Sequence, residues 1–273
     1  MTRACAYISV VVSIGLLAGL AHGQTVIFSV TGLAQAAEQF EMRYGVPVSY
    51  EDANYAYAGD LIDQTRPDYA RSHPNTPRLF SPKSGPLTLR GDPKEHLSLF
   101  NAAADAMPML QSLLDDHVKA GYPGQFKLIP SGDGLDIVPV AVKNANGILL
   151  PDQSLLETKI TLPVVRRNDI EILDAICAAV RTNSGKNIGV ATNQFVSLYW
   201  VVTIGADNEP ARTVLQRALD GLKFTGDPTD KVPKAAWSLR YAPGLEMYLL
   251  NVRQVVAEAP SLTGKTIRQT VFR

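Results

Sequence analysis

Carboxylates and tyrosines concentrate between residues 44 and 69, where five of the ten tyrosines stand among Glu51, Asp52, Asp60, Asp63 and Asp68. A tyrosine ring offers a flat apolar face with a polar tip, and a carboxylate accepts a sugar hydroxyl or holds a cation. Tyr50, Glu51, Asp52, Tyr55, Tyr57, Asp60 and Asp63 therefore form the candidate ligand or partner surface. The competing reading is a long loop tied down by its own tyrosines, although loops of this length without regular structure are more often functional than short ones. Glu51 and Asp52 could serve as the acid pair of a glycosidase. Neighbours on a strand point to opposite faces, however, which makes that pairing poor.

The other chemistry-bearing residues argue for less. Gly264-Lys265-Thr266 has the ending of a phosphate-binding loop, but Ala259 stands where the first glycine is required, so no nucleotide site is expected. His73, His96 and His117 lack metal-ligand spacing and are expected at the surface or at helix ends. No metal and no cofactor is expected. Cys177 falls on the apolar face of a helical stretch, where a small buried hydrophobe is expected rather than a nucleophile, which needs exposure and a cationic neighbour.

The elements that must position these residues read as two rounds of one order. Residues 26–30 have strand character, and Leu33, Ala36, Ala37, Phe40 and Tyr44 share one helical face that Gly45 ends with a left-handed cap. Residues 46–50 and 86–90 read as strands. Asp92-Pro93-Lys94-Glu95 offers an N-cap, a first-turn proline and a capping glutamate for a second helix with Leu97, Phe100, Ala104 and Met107 inward. Pro108 is expected to kink or end it before a further helical piece through Leu110, Leu113 and Leu114. A hairpin over 125–129 and 135–140 closes the round. Downstream, residues 159–164 are a strand, Asn168 and Glu171 cap a helix with Ile172, Leu173, Ile176, Cys177 and Val180 inward, and 187–191 and 200–204 are strands. A helix carrying Val214, Leu215, Ala218, Leu219 and Leu222 and a hairpin over 237–241 and 245–251 follow. The expected fold class is α+β: two small modules, each β-α-β-β-α-β-β with two helices on one face of a sheet.

Composition bounds the setting. Arg3 precedes an uncharged run over 4–21, and Ala21-His22-Gly23 fits a peptidase site, so residues 1–23 read as a signal peptide with cleavage before Gln24. An uncleaved anchor is the alternative. The expected divisions are a first module over 24–142 with an insertion over 53–84, a linker over 143–157, a second module over 158–253, and a loosely ordered tail over 254–273. Beyond the signal one cysteine remains, so no internal disulfide forms despite the oxidising destination. Lys and Arg (26) balance Asp and Glu (26), which argues against nucleic acid or an anionic membrane as partner. No later run is long enough to cross a bilayer.

Leu33-Ala34-Gln35-Ala36-Ala37, Tyr44-Gly45-Val46-Pro47-Val48, Leu87-Thr88-Leu89-Arg90-Gly91 and Gly134-Leu135-Asp136-Ile137, with Ile172 to Ala179, Val201 to Gly205 and Leu215-Gln216-Arg217-Ala218-Leu219 downstream, form a recognisable pattern. It resembles the short N-terminal domain of secretins and TonB-dependent outer-membrane receptors. The insertion over 53–84, the extended helix around Pro108 and the lack of a following barrel or pore region depart from that family. The resemblance implies a stand-alone, tandem, envelope-located interaction module and brings no catalytic residues. The expectation is thus an exported, non-enzymatic module in the periplasm or cell envelope of a Gram-negative-type bacterium, or in the secreted fraction, binding a protein or polymer partner. The alternative is a small-ligand or carbohydrate receptor, or an enzyme, that uses the acidic tyrosine-rich insertion.

Overall fold

The computed structural model describes residues 31–89, 102–191, 201–221, 233–260 and 266–271. The signal segment, the expected strand over 26–30 and the helix start over 92–100 lie outside them.

In the first half, α1 (Gly32–Tyr44) begins at Thr31, whose hydroxyl accepts from the Ala34 amide at 3.2 Å, and ends at Gly45 with φ 65. It leads into β1 (Val48–Glu51). The expected loop over 53–84 is partly ordered: β2 (Leu61–Asp63) and β3 (Phe80–Pro82) pair as a ribbon around a short α2 (Pro67–Ser72). Leu87 and Leu89 pack against the first core without joining a strand. Then α3 (Ala102–Lys119) runs on through Pro108, so the helix does not end there. Pro108 is exposed, so its missing amide and its ring face solvent rather than the core. The expected Leu110, Leu113 and Leu114 are buried together with Ala106, and Met107 packs half-buried against the same core, while Ala104 is exposed. The hairpin of β4 (Gln125–Ser131) and β5 (Gly134–Lys143) follows.

The expected linker is tied into the body. In it β6 (Leu149–Pro151) pairs with β5, the Asn54 amide donates to Asp152 at 3.1 Å, and Leu155 and Leu156 of a 3-10 turn (Leu155–Glu157) are buried in the second core. The second half runs β7 (Lys159–Asn168), α4 (Asp169–Ser184), β8 (Asn187–Val190), β9 (Val201–Pro210), α5 (Ala211–Asp220), β10 (Ala235–Ala242) and β11 (Met247–Gln254). Asn168 and Glu171 make the reciprocal cap that their spacing predicts. The described residues of the tail are ordered. Its β12 (Val256–Pro260) and β13 (Thr266–Thr270) form an antiparallel hairpin, and Val271 packs on Gly45.

Among the described residues the architecture is mixed α+β, with five α-helices and several sheets. Among the described residues, three two-stranded ribbons, β2-β3, β7-β9 and β12-β13, accompany a seven-stranded sheet ordered β4-β5-β1-β10-β11-β8, with β6 also on β5. Within it the first half contributes β4-β5-β1 and the second β10-β11-β8. In each unit one strand lies parallel to an arm of a hairpin: β1 to β5, and β8 to β11. The halves are then fused, because β1 also pairs in parallel with β10, Tyr50 against Ser238 and Glu51 against Leu239. One core lies in each half, around Phe40, Leu110 and Ile137 in the first and around Ile176, Leu215 and Trp237 in the second.

Candidate functional site: the buried junction

The strand β1 and the residue that follows it carry three of the expected site residues, and all three are inside the protein. Tyr50, Glu51 and Asp52 are at most 4% exposed, because β1 is central in the sheet and covered on both faces. The alternation of the pleat sends Glu51 and Asp52 to opposite faces, each into its own polar cluster.

On one face Glu51 accepts from the Ser154 hydroxyl and from the Leu155 amide. Arg212, from the first turn of α5, donates to Ser154 Oγ at 2.8 Å, pairs with Glu157 at 2.9 Å and faces Asp136 of β5 at 3.9 Å. One guanidinium thus serves three carboxylates. The imbalance is expressed in proton affinity: burial pushes Glu51 up to about 7, against the opposing pull of Ser154, the Leu155 amide and Arg212. Burial likewise raises Asp136 to about 6, with Arg212 opposing and Glu157 adding to the rise. Among the described residues, Arg212 Nε and Nη1 and Asp136 Oδ2 have no hydrogen-bond partner.

On the other face Asp52 accepts from the Tyr241 amide at 3.0 Å, and its carboxyl is raised by burial and lowered by Arg240. The Arg240 guanidinium lies over the Tyr50 ring, 4.9 Å from its centroid, and 3.6 Å from Glu38. Thr31 donates to the Tyr50 hydroxyl at 3.3 Å. Burial raises both the Tyr50 and the Tyr55 phenols well above their usual value. A third contact closes the seam: Arg253 grips Glu41 with two bonds of 3.1 Å, while Glu41 also accepts from the Val48 amide.

Of the remaining expected residues, Tyr55 joins this second face, hydrogen-bonded to Tyr50 and buried beside Ala53 and Val142, and the others lie apart. Asp60 is buried against Lys143 at 2.9 Å, and that ammonium lies over the Tyr57 ring. Asp63 pairs at the surface with Arg78 at 2.9 Å. The seven residues therefore line no common cleft. A groove of about 370 Å³ opens elsewhere, between Gln39, Met42 and Arg43 of α1, Leu87–Leu89 and Glu258.

The residues that sequence reasoning missed are the partners: Arg212, Asp136, Ser154, Arg240 and Arg253. Two left a trace. Asp136 interrupts an otherwise apolar strand, and Arg212 lies three residues before Leu215, on the inward face of its helix.

Cys177 is buried among the second core and its thiol is pushed up to about 12 by burial, as an inert hydrophobe requires. His117 is at a helix end but buried, not at the surface, with Nε2 3.1 Å from the carbonyl oxygens of Pro123 and Gly124. His73 is exposed and stacks on Tyr69. Among the described residues no three His, Cys, Asp or Glu side chains gather as a metal site. No helix among them is long and apolar enough to cross a membrane.

Exposed apolar side chains gather at two places: Ile148, Leu149 and Leu150 on and beside β6, and Val164, Val165 and Ile170 at the end of β7 and the start of α4.

Comparison with models of protein families, with curated proteins and with solved structures finds no match to this chain.

Proposed function

We propose that the chain is an exported, non-enzymatic interaction module of the cell envelope that works in the periplasm and binds a protein or polymer partner. On this reading it is a tandem of two units akin to the short N-terminal domain of secretins and TonB-dependent receptors. The repeated three-stranded unit, β4-β5-β1 and β10-β11-β8, supports the tandem, as does the order β-α-β-β-α-β-β from β7 to β11.

The observation that carries the binding reading is the β6 strip. Ile148, Leu149 and Leu150 are 56%, 49% and 45% exposed, three large apolar residues in a row, and among the described residues β6 pairs only with β5. Protein edges of this kind are normally blunted by charge or cut short, and an apolar one is a template for an added strand. The acids and tyrosines that a ligand cleft needs are meanwhile bound to the protein's own arginines and amides. A partner presenting an extended apolar segment fits the strip.

A photo-cross-linker at Leu149 tests this in living cells. Cross-links to an envelope component are expected, and they should disappear when Ile148 and Leu150 are changed to lysine. Cross-linking at Val164 but not at Leu149 would move the site to β7. Recovery of the chain from the membrane with Met1 intact, rather than from the periplasm beginning at Gln24, would replace the exported module with an anchored one.

A further inference from the structure

The two halves are joined by unlike edges, and the same pair of edges is left open at the two ends of the sheet. Val48 and Ile188 each follow a left-handed glycine by three residues, Gly45 and Gly185. Both are fully buried, and each has an arginine on its carbonyl oxygen: Arg253 at 3.0 Å on Val48, Arg181 at 2.5 Å on Ile188. Val48 pairs with Leu135, which pairs with Pro130; Ile188 pairs with Tyr248, which pairs with Tyr241. Two residues on, Tyr50, Ile137 and Leu128 form one row, and Val190, Leu250 and Leu239 form the other. Thus β8 is the counterpart of β1, and β4 the counterpart of β10.

The junction inside the chain is β1 against β10, held by Tyr50 opposite Ser238, Glu51 opposite Leu239 and the Asp52 amide on the Leu239 carbonyl at 2.8 Å. Among the described residues, β8 pairs only with β11 and β4 only with β5. We propose that the chain associates with itself head to tail, β8 of one copy pairing in parallel with β4 of the next in the register of the internal junction. That register sets Val190 opposite Lys127 and Ala191 opposite Leu128.

The local chemistry is compatible at each position. Arg181 on the Ile188 carbonyl does not block the edge, since Val48 carries its own arginine while β1 is paired on both sides. Pro130 lacks an amide, but it stands where Tyr241 does, beyond the paired residues, and the Tyr241 amide is taken by a side chain. The counterpart of Glu51 is Ala191 and that of Arg240 is Ile129, so joining copies buries no carboxylate. Val190, Leu128 and Ile129 are half-buried, leaving apolar surface for the neighbour to cover. Because the two edges differ, the contact is heterologous and repeats into a ring or a filament. This inference goes beyond the partner reading above and uses other strands than β6.

Cysteines placed across the proposed contact test it. Strands lie about 4.8 Å apart, inside the ~4.4–6.8 Å between Cα atoms that a disulfide spans. Under oxidation, a mixture of Val190→Cys and Lys127→Cys chains is expected to give cross-linked dimers, the double variant a ladder, and each single variant alone no dimer. The buried Cys177 does not compete. The unmodified chain should show a sedimentation coefficient that rises with concentration, a readout independent of any variant's folding. Sedimentation as a monomer throughout overturns the proposal, as does Val190→Cys linking to itself, which would mean β8 against β8. Loss of the Leu149 cross-links with self-association intact would sink the partner reading alone.

Discussion

Replacing Arg212 with methionine removes the cation that faces Glu51, Asp136 and Glu157 while keeping an apolar stem of similar length. In the native protein both Glu51, raised from 4.5 to about 7, and Asp136, raised from 3.8 to about 6, hold protons more tightly than in the unfolded chain. Between pH 4 and 7 the native state therefore binds more protons, and stability falls as pH rises through that window. At about 1.4 kcal/mol per unit, each carboxyl contributes a decline on the order of 3 kcal/mol. Arg212 lowers both values, so its loss pushes both higher and concentrates the damage where the acids are ionised. We expect Arg212→Met to cost about 3–5 kcal/mol near pH 8, the range for a buried charge left without its partner. Near pH 5, where both acids are protonated in either protein, the cost falls to roughly 1–2 kcal/mol of lost hydrogen bonds. Urea unfolding followed by circular dichroism from pH 5 to 8 measures both curves. An equal cost at pH 5 and pH 8, or a native protein that gains stability as pH rises, would refute the reasoning.

Cys177 should resist alkylation in the folded protein and react fully once denatured, which mass spectrometry of iodoacetamide-treated samples reads directly. Gly134→Ala puts a Cβ 2.4 Å from the Pro47 carbonyl oxygen, where β5 enters the sheet beside β1, and is expected to lower stability by about 2–3 kcal/mol in urea titrations. A loss below 0.5 kcal/mol, the level typical of surface changes, would mean the strands can part there at little cost. Arg253→Ala frees Glu41, whose carboxyl is already raised by burial, and should destabilise more at pH 8 than at pH 5; the opposite trend would show that Glu41 finds water instead.

Local order was legible in the sequence wherever a signal is complete within a few residues. Gly45 marks the end of α1, Asn168 with Glu171 marks the start of α4, and both hairpins fall where turn residues separate apolar runs. The alternation rule rightly separates Glu51 from Asp52. What stayed hidden is long-range. The partners of those acids, Arg212 and Arg240, lie far along the chain, and the pairing of β1 with β10 depends on two strand edges meeting rather than on any local pattern. The acids and tyrosines around β1 look like a surface in the sequence because isolated carboxylates belong in water. Only the matching arginines make their burial tolerable. The tail reads as irregular because β12 and β13 are short and mixed in polarity, and their place depends on contact with α1. Pro108 misleads because a proline inside a helix can bend it or break it, and which of the two happens depends on the packing around it.

The central claim is that the two halves are one body joined along β1 and β10. Hydrogen exchange at the Asp52 amide, which donates across that seam to Leu239, tests it most directly. If the halves open only together, this amide should exchange at the same slow rate as core amides such as Leu135, and calorimetry should show one transition. An Asp52 amide that exchanges much faster than Leu135, with two resolved transitions, would contradict the account and leave two independent modules.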